Sequence, residues 1–506
     1  MENSLKKIPE QFFVFFRKCP AFLFSLAFLF GLAIAVRPNL IFGIVFFSLS
    51  LPWILFKPKQ FAPTCAIFFI AFLYGITTKP FFPNDLQKIT GVASFTPSEI
   101  KEYKTHFKKS YALKGTIEYM EDENATSVAR IPCTIPLEIK LPLRTEKYLI
   151  PGCLEKEANR FLFTPDENST WIGTGKMYSL PQWRFDCKKE IAKKIQKIYG
   201  NSLVEKFLVA ICLGDLSDPL LRFSFNRLGL QHILAISGFH FGLLAFFLNF
   251  IFSLFLSKKP ATICLLLLLT GYFVLVGCSA SILRAYLAST LYLIGTLSKR
   301  STTPLNILGV VLLLELLFKP ESITNLGFQL SFLATGSILI LFPLTSSWVK
   351  KFLPKRTELE AFSLRKIDRW AYLICAFIRS ALALNLAVHL TVIPVCLFYF
   401  GKFPVISLFY NLFIPLGVSC SLFLFLGSLP FLMLVPPLGI LLSEINHRFT
   451  QFILQLIIEA PNRFSIYLKT PEIFPSITTP LVIISLIIIL LLPVVRPVVP
   501  PTKDLH

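Results

Sequence analysis

The chain has 506 residues, of which 54% are hydrophobic and only 16% are charged, and it contains 53 phenylalanines. Soluble globular proteins carry roughly 25% charged residues, so this composition excludes a soluble protein and predicts a polytopic membrane protein. The formal net charge of +21 does not by itself indicate a nucleic-acid partner, because the short basic loops of membrane proteins report orientation first.

Three apolar stretches open the chain, at residues 12–36, 39–56 and 61–77. Each has about 17 residues or more, which is the length that a helix needs to cross the hydrocarbon core. We interpret the first as an uncleaved anchor rather than a signal peptide, because two further spans follow at once. Basic residues at the amino end and after the second span predict that the chain emerges outside near Thr78. Residues 1–77 are therefore predicted to form three N-terminal transmembrane helices.

Residues 78–186 are predicted to form an external β domain. Short runs, such as 111–119 and 134–141, alternate apolar with polar residues and are interrupted by Pro and Gly. Such alternation is typical of half-buried strands separated by turns. The pattern predicts a small β-barrel or sandwich ahead of the membrane core.

Three of the eleven cysteines lie in the long polar region after Thr78, whereas the other eight lie in or beside apolar segments. The three are Cys133, Cys153 and Cys187. If the region faces an oxidising compartment, one pair could form a disulfide and one thiol would be left over. The sequence leaves the pair open.

Residues 187–230 are predicted to form amphipathic helices at the membrane interface. They are apolar on one helical face and basic on the other, which is typical of helices that lie in the plane of the interface. We favour a connector that docks on the membrane core. The alternative is a direct contact between the basic face and a polyanion.

A channel-like transmembrane core is predicted at residues 231–428, and residues 429–506 are predicted to hold C-terminal transmembrane helices and a tail. The core helices, oriented in series by short basic loops, are predicted at 232–256, 261–277, 282–297, 304–318, 325–343, 371–399 and 404–428. A helix at 431–444, an amphipathic segment at 448–460 and a last span at 478–495 follow. The predicted fold class is an all-α membrane bundle of about ten to twelve helices with a small external β domain.

Polar residues interrupt the apolar spans of the core, most densely in the run HILAISGFHFGL at residues 232–243. Lipid cannot satisfy hydroxyl, imidazole or amide groups, so such residues usually face a bundle interior or a water-filled path. The predicted orientation places them near the outer ends of their helices, at about 1.5 Å of rise per residue. We therefore predict an outward-facing polar vestibule. Its candidate residues are Ser237, Gly238, His240, Gly242, Arg284, Gln329, Ser331, His389 and Asn411.

Some of these residues have a second interpretation. Arg284 either forms a structural ion pair with Glu315 or contacts phosphate, and the sequence does not separate the two. The two glycines of the polar run form a GxxxG pattern, which by itself marks close helix packing more often than a pore wall. Ser237 and His240 have the chemistry of a nucleophile and a base, but no third orienting group is evident, so no catalytic residue is predicted.

The polar run is one of several short motifs that follow one another along the core. They are LGD (213–215), HILAISGFHFGL (232–243), SILRA (281–285), PLN (304–306), GFQLSFLAT (327–335), LTVIP (390–394), FGKFP (400–404) and NLFIP (411–415). In this order they resemble the motifs of the ComEC/Rec2 competence family. The resemblance is strongest over residues 205–428, and the predicted front end of the chain fits the family as well.

The resemblance implies a channel in the bacterial inner membrane through which one strand of transforming DNA enters the cytoplasm. It also implies that the external domain is OB-like and that a periplasmic DNA receptor is a partner, besides single-stranded DNA and the membrane. Because the sequence contains no GxxxxGK[ST] motif, a cytoplasmic helicase-like motor is expected to supply the energy. The oligomeric state stays open.

Longer members of that family often carry a metallo-β-lactamase-like nuclease domain, from which this chain departs. The HxHxDH ligand cluster of such a domain cannot be assembled from the six histidines. We therefore expect a protein that is not an enzyme and that uses no metal and no cofactor. The main alternative is a transporter of a small molecule or a lipid-linked substrate on the same scaffold.

Overall fold

The computed structural model describes most of the chain between residues 16 and 469. The described residues are 16–36, 58–78, 88–104, 109–121, 127–137, 145–157, 160–166, 171–176, 179–216, 218–300, 303–355, 366–460 and 466–469. The predicted spans at 39–56 and 478–495 lie outside these ranges.

The chain is mostly helical, with a small antiparallel sheet domain near its N-terminus. The helices are α1 (Pro20–Val36), α2 (Pro58–Thr78), α3 (Leu180–Tyr199), α4 (Leu203–Leu213), α5 (Pro219–Arg227), α6 (Gln231–Leu234), α7 (Gly238–Phe255), α8 (Lys258–Val276), α9 (Ala280–Leu297), α10 (Pro304–Phe318), α11 (Leu326–Phe352), α12 (Lys366–Phe400), α13 (Ser407–Leu434) and α14 (Pro436–Ile458). The strands are β1 (Lys88–Lys104), β2 (Lys109–Glu121), β3 (Ser127–Leu137), β4 (Lys147–Glu157), β5 (Arg160–Pro165), β6 (Ile172–Thr174), β7 (Lys402–Pro404) and β8 (Tyr467–Lys469). The predicted class, a helical membrane bundle with a small β domain, is confirmed.

Six described helices are long and apolar enough to cross a bilayer: α7, α8, α9, α11, α12 and α13. Three shorter apolar helices, in α1, α2 and α10, accompany them. The described residues thus hold nine apolar helices, and the two further predicted spans lie outside them, so a total of ten to twelve stays a prediction. Two of these helices are longer than predicted: α11 continues to Phe352 and α13 continues to Leu434.

The β domain is a six-stranded antiparallel sheet in the order β3-β2-β1-β4-β5, with β6 paired to β4. The run 111–119 lies on β2, and residues 134–137 of the second run lie on β3, while its remaining residues lie outside the described ranges. Apolar positions of both runs lie in the domain core, because Leu113 and Ile135 face each other across these strands and are buried. Since β3 also lies next to β5, the sheet curls into a partly closed barrel.

The three cysteines of the polar region are free thiols, on β3, β4 and α3. None of the pairs that the sequence allowed is formed in this structure, and the sheet holds Cys133 and Cys153 on strands that are not neighbours. Burial raises the pKa of the Cys133 thiol to about 12. The thiolate that disulfide exchange needs is thus scarce near neutral pH.

The β domain sits at the end of the bundle where α2 and α8 terminate. Arg130 Nη1 on β3 donates to the carbonyl of Thr77 at 3.2 Å. From the following helix, α3, Arg184 Nε donates to Val274 O at 2.6 Å and Lys188 Nζ donates to Val276 O at 2.8 Å. Cations are favourable beside the last carbonyls of a helix, so α3 is held against the end of α8.

The predicted amphipathic region contains three helices, α3, α4 and α5, of which the first two are unlike. α3 is amphipathic as predicted, although it begins at Leu180, with Ile195 and Tyr199 buried and four lysines exposed. The second helix, α4, packs against α14 and α6, and seven of its eleven residues are buried, so its position at the membrane interface stays a prediction. Its buried residues are Val204, Phe207, Leu208, Val209, Ala210, Ile211 and Leu213.

One continuous helix, α14, covers most of the two segments predicted at 431–444 and 448–460, while residues 431–434 end α13. It packs antiparallel along α13, where the hydroxyls of Ser421 and Thr450 lie 2.6 Å apart. Two polar residues at or beside the predicted gap, Ser443 and Asn446, are buried. Hydropathy alone could not show this, because a buried polar residue is stable in a helix once it is hydrogen-bonded.

Asn446 uses both ends of its amide while fully buried. Its Nδ2 donates to the Tyr199 hydroxyl at 3.0 Å, and its Oδ1 accepts from Thr450 Oγ1 at 3.1 Å. Asn446→Leu is expected to lower the free energy of unfolding by about 2 kcal/mol, because both partners lose their hydrogen bond in a buried place.

Thermal melting of the purified protein in detergent measures this effect. Asn249→Leu is a suitable control, because Asn249 is exposed on α7, and it should leave the melting temperature nearly unchanged. Equal melting temperatures for the two variants would contradict the structural importance of Asn446.

Candidate functional site

The polar run at 232–243 is not one helix, as the sequence predicted, but two helices with a break between them. The short α6 ends at Leu234, and α7 begins at Gly238. Ser237 lies in the break, with an extended backbone (φ −124°, ψ 174°), at the N-cap position of α7. Serine is favoured at an N-cap because its side-chain oxygen can accept a hydrogen bond from a backbone N–H of the first helical turn, which has no partner within the helix.

His240 folds back onto the start of its own helix. Its Nδ1 accepts from the Ser237 backbone N–H at 3.2 Å and lies 3.0 Å from Ser237 Oγ. Because Nδ1 accepts from an amide, a neutral ring carries its proton on Nε2. Within the described part of the chain, this Nε2 is buried and has no hydrogen-bond partner.

The same contacts bear on the nucleophile and base interpretation. The distance from Ser237 Oγ to His240 Nδ1 would suit proton transfer, but a catalytic histidine also needs a group that orients its other nitrogen. No residue in the described ranges occupies that role at Nε2. The pair is better explained as a helix-start interaction.

The GxxxG pattern does not mark close packing here. A Cβ at Gly238 would meet only Ala285 Cβ, at 3.9 Å, and one at Gly242 would have no described neighbour within 4 Å. Gly242 is also exposed. The close-packing interpretation is therefore wrong, because neither glycine lies at a tight helix crossing.

Arg284 and Glu315 lie near each other on α9 and α10. The Arg284 guanidinium lies over the Phe332 ring, with Cζ 5.7 Å from the ring centroid. Its Nη1 and both carboxylate oxygens of Glu315 are buried, and none of them has a hydrogen-bond partner among the described residues. The two charges interact through space, but they are not hydrogen-bonded, so the ion pair stays a prediction, as does the phosphate contact.

Gln329 joins the start of α11 to the end of α12. Its Nε2 donates to Ile323 O at 2.8 Å, and its Oε1 accepts from the Tyr399 hydroxyl at 2.8 Å. Both ends of the Gln329 amide are therefore hydrogen-bonded within the protein. Ser331, half a turn further along α11, is half-buried.

A second polar group lies between α12 and α13. The buried His389 donates from Nδ1 to Asn385 O at 2.8 Å, and Asn385 Nδ2 donates to Leu408 O at 2.6 Å. Asn411 Oδ1, Asn385 Oδ1 and Ser407 Oγ are buried and have no partner in the described structure.

Sequence reasoning missed Asn385, Ser407 and Tyr399. Asn385 carries the same signal as Asn411, an amide inside an apolar span, and could have been found by it. Ser407 and Tyr399 lie at helix ends, where such residues are common. Only the fold reveals that the Tyr399 hydroxyl donates to Gln329 and that Ser407 Oγ is buried without a described partner.

All the predicted vestibule residues lie toward one end of the bundle, the end that carries the β domain. Lys319 Nζ, just after α10, donates to Cys278 O just before α9, at 3.3 Å. The Gln329–Tyr399 bond likewise joins the start of α11 to the end of α12. No hydrogen bond between described residues connects the His240 and Arg284 group to the His389 and Asn411 group. The vestibule itself stays a prediction.

Two asparagines in or beside the motifs have structural roles. Asn306, in PLN, accepts from the Ala21 N–H at 3.2 Å and donates to Lys18 O at 3.0 Å, so it ties α10 to the start of α1. Asn325 caps α11 by accepting from the Gly327 N–H at 2.8 Å. These asparagines hold the fold together rather than line a passage.

Comparisons with known proteins identify the family. The family model described as competence protein matches residues 215–497, more than half of the chain. The chain is 33% identical to ComE operon protein 3 of Bacillus subtilis (strain 168) over 221 residues, which are 42% of this chain and 25% of that protein. It is 27% identical over 242 residues to the uncharacterized protein MG316 homolog of Mycoplasma pneumoniae, covering 48% of this chain and 55% of that one.

The chain thus spans between a quarter and about half of the length of these relatives. No solved structure matches it significantly. The matched region includes every membrane helix that carries a candidate vestibule residue. The chain therefore belongs to the competence protein family and is a multi-pass protein of the bacterial inner membrane.

Proposed function

We propose that this protein is a channel that passes single-stranded DNA into the cytoplasm during natural competence. The observation that carries the proposal is the set of buried polar atoms that no described residue satisfies, at the end of the bundle beside the β domain. They include His240 Nε2, Arg284 Nη1 and Asn411 Oδ1. Polar groups at such places in a membrane protein mark solute paths more often than lipid contacts.

The charge of Arg284 suits a nucleic acid. A single strand carries one phosphate per nucleotide, and a cation in a low-dielectric setting attracts phosphate strongly. Arginine also presents several donors in a planar fork that matches phosphate oxygens. Membership of the competence family supports DNA as the solute.

The β domain is proposed to be OB-like and to receive the strand before it enters the bundle. A row of residues crosses its outer surface, from Tyr119 on β2 through Ser94 on β1 and Leu149 on β4 to Ile172 on β6. The side chains of Tyr119 and Ile172 are 47% and 58% exposed. Bases stack on such aromatic and apolar surfaces without sequence preference.

Two partners belong to the proposal: a periplasmic DNA receptor that delivers the strand and a cytoplasmic helicase-like motor that pulls it. The sequence has no GxxxxGK[ST] motif of its own. Directional movement of a polyanion therefore needs an energy source on another chain. The protein is proposed to act as the passage and not as an enzyme.

The test is a strain that lacks this gene and is given fluorescently labelled DNA. We expect labelled DNA to accumulate outside the inner membrane and none to reach the cytoplasm, with entry restored by the intact gene. Normal cytoplasmic entry in the deletion strain would refute the channel. It would favour the alternative, a transporter of a small molecule or a lipid-linked substrate on this scaffold.

A further inference from the structure

A line of exposed polar side chains follows the C-terminal two-thirds of helix α14 and ends one residue past it. They are Glu444, Arg448, Gln451, Gln455 and Glu459, here called the α14 polar stripe. With 3.6 residues per turn, the five fall within an arc of about 80° and extend over about 22 Å. The opposite face of the helix is buried against α13 and α4.

The stripe lies at membrane depth because α14 packs along a spanning helix. Thr450 on α14 is hydrogen-bonded to Ser421, which is in the middle of the 28-residue α13. Glu444 and Gln455 are six and five residues from Thr450, and therefore within about 9 Å of that level. The hydrocarbon core extends about 15 Å to each side of its midplane.

The chemistry of the stripe does not suit lipid. Arg448 Nε donates to Glu444 Oε1 at 2.8 Å, yet the two side chains remain 79% and 53% exposed. No described residue forms a hydrogen bond with the Gln451 or Gln455 side chain. Exposed charged and amide groups at this depth are costly unless water or protein satisfies them.

We propose that the α14 polar stripe lines a water-filled passage through the middle of the membrane. The stripe is separate from the vestibule residues, which lie on α7, α9, α11, α12 and α13. The inference goes beyond the proposed function, because it concerns the place where water enters the bundle. It does not depend on which solute the protein passes.

A helix–helix interface with a second copy is less well supported by the same residues. Membrane helices associate closely through small residues, and the stripe contains only long side chains. The small residues of α14, Gly439 and Ser443, are on its buried face. A surface of long, hydrated side chains suits the wall of an aqueous passage better.

Cysteine accessibility tests the proposal on the full chain in native membranes. Gln451→Cys and Gln455→Cys are compared with Ile445→Cys and Leu456→Cys, whose parent side chains are exposed on the neighbouring apolar face of the same helix. A charged methanethiosulfonate reagent is added without DNA. Mass spectrometry of the peptide that carries each position separates its labelling from that of the native cysteines.

We expect the stripe positions to react at least about tenfold faster than the two controls, because the reactive thiolate forms in water and not in lipid. Equal, slow labelling at all four positions would overturn the proposal. So would an oxidative cross-link between two copies at Gln451→Cys with labelling blocked, because a second copy would then cover the stripe. Because the experiment uses no DNA, a result that contradicts the aqueous passage is distinct from a result that contradicts the DNA channel. Two stripe positions are tested so that misfolding of one variant does not decide the outcome.

Discussion

Gly309→Ala is expected to destabilise the protein by about 3 kcal/mol, because it adds an atom where two helices touch backbone to backbone. A Cβ at Gly309 on α10 would lie 2.5 Å from Phe22 N and 2.6 Å from Phe22 Cα on α1. Backbone atoms cannot rotate away as a side chain can, so α10 and α1 must separate. The melting temperature in detergent should fall clearly.

The matched control is Gly427→Ala on α13, where an added Cβ would have no described neighbour within 4 Å. Alanine is a better helix former than glycine by about 1 kcal/mol. That variant should therefore melt at the same temperature as the parent or slightly higher. If Gly309→Ala behaved like the control, α1 and α10 could not be packed as described.

Arg284→Gln is expected to lower transformation frequency about ten- to a hundredfold, the loss that corresponds to one hydrogen bond to a charged group. The reason is that it removes the cation proposed to attract phosphate in the vestibule. Arg284→Lys keeps the charge and should retain most of the activity. Transformation frequency is normalised to the amount of protein in the membrane.

A double variant separates the two interpretations of Arg284. If the arginine serves only to neutralise Glu315, then Arg284→Gln combined with Glu315→Gln leaves no buried charge and should restore uptake. If the arginine contacts phosphate, the double variant should stay as defective as Arg284→Gln. Restored uptake would thus contradict the phosphate contact and support the structural ion pair.

Helix α10 shows where sequence reasoning works well. Its predicted and observed bounds coincide at 304–318. Pro304 stands at the first helical position and Pro320 follows the end, and both are local signals that act through backbone geometry. The strands β2 and β3 were predicted for a similar reason, since period-two alternation reports burial on one face.

Helix α14 shows where sequence reasoning fails. The residues Glu444, Asn446 and Arg448 lower local hydropathy alike, and the sequence predicts two segments here, at 431–444 and 448–460. In the structure Asn446 is buried and hydrogen-bonded, whereas Glu444 and Arg448 are exposed. Which polar residue faces protein depends on the neighbouring helix, and hydropathy contains no information about that neighbour.

The amino-acid sequence by itself determined that this protein is a multi-pass helical membrane protein with a small β domain, and its ordered motifs pointed to the competence family. Only the tertiary structure decided what each polar motif residue does. Asn306 binds the backbone at Ala21, 285 residues away, while His240 and Arg284 keep buried atoms that no described residue satisfies. The physical reason is that spans and strands follow from local hydrophobicity, whereas the partner of a polar atom is set by packing between segments distant in the chain.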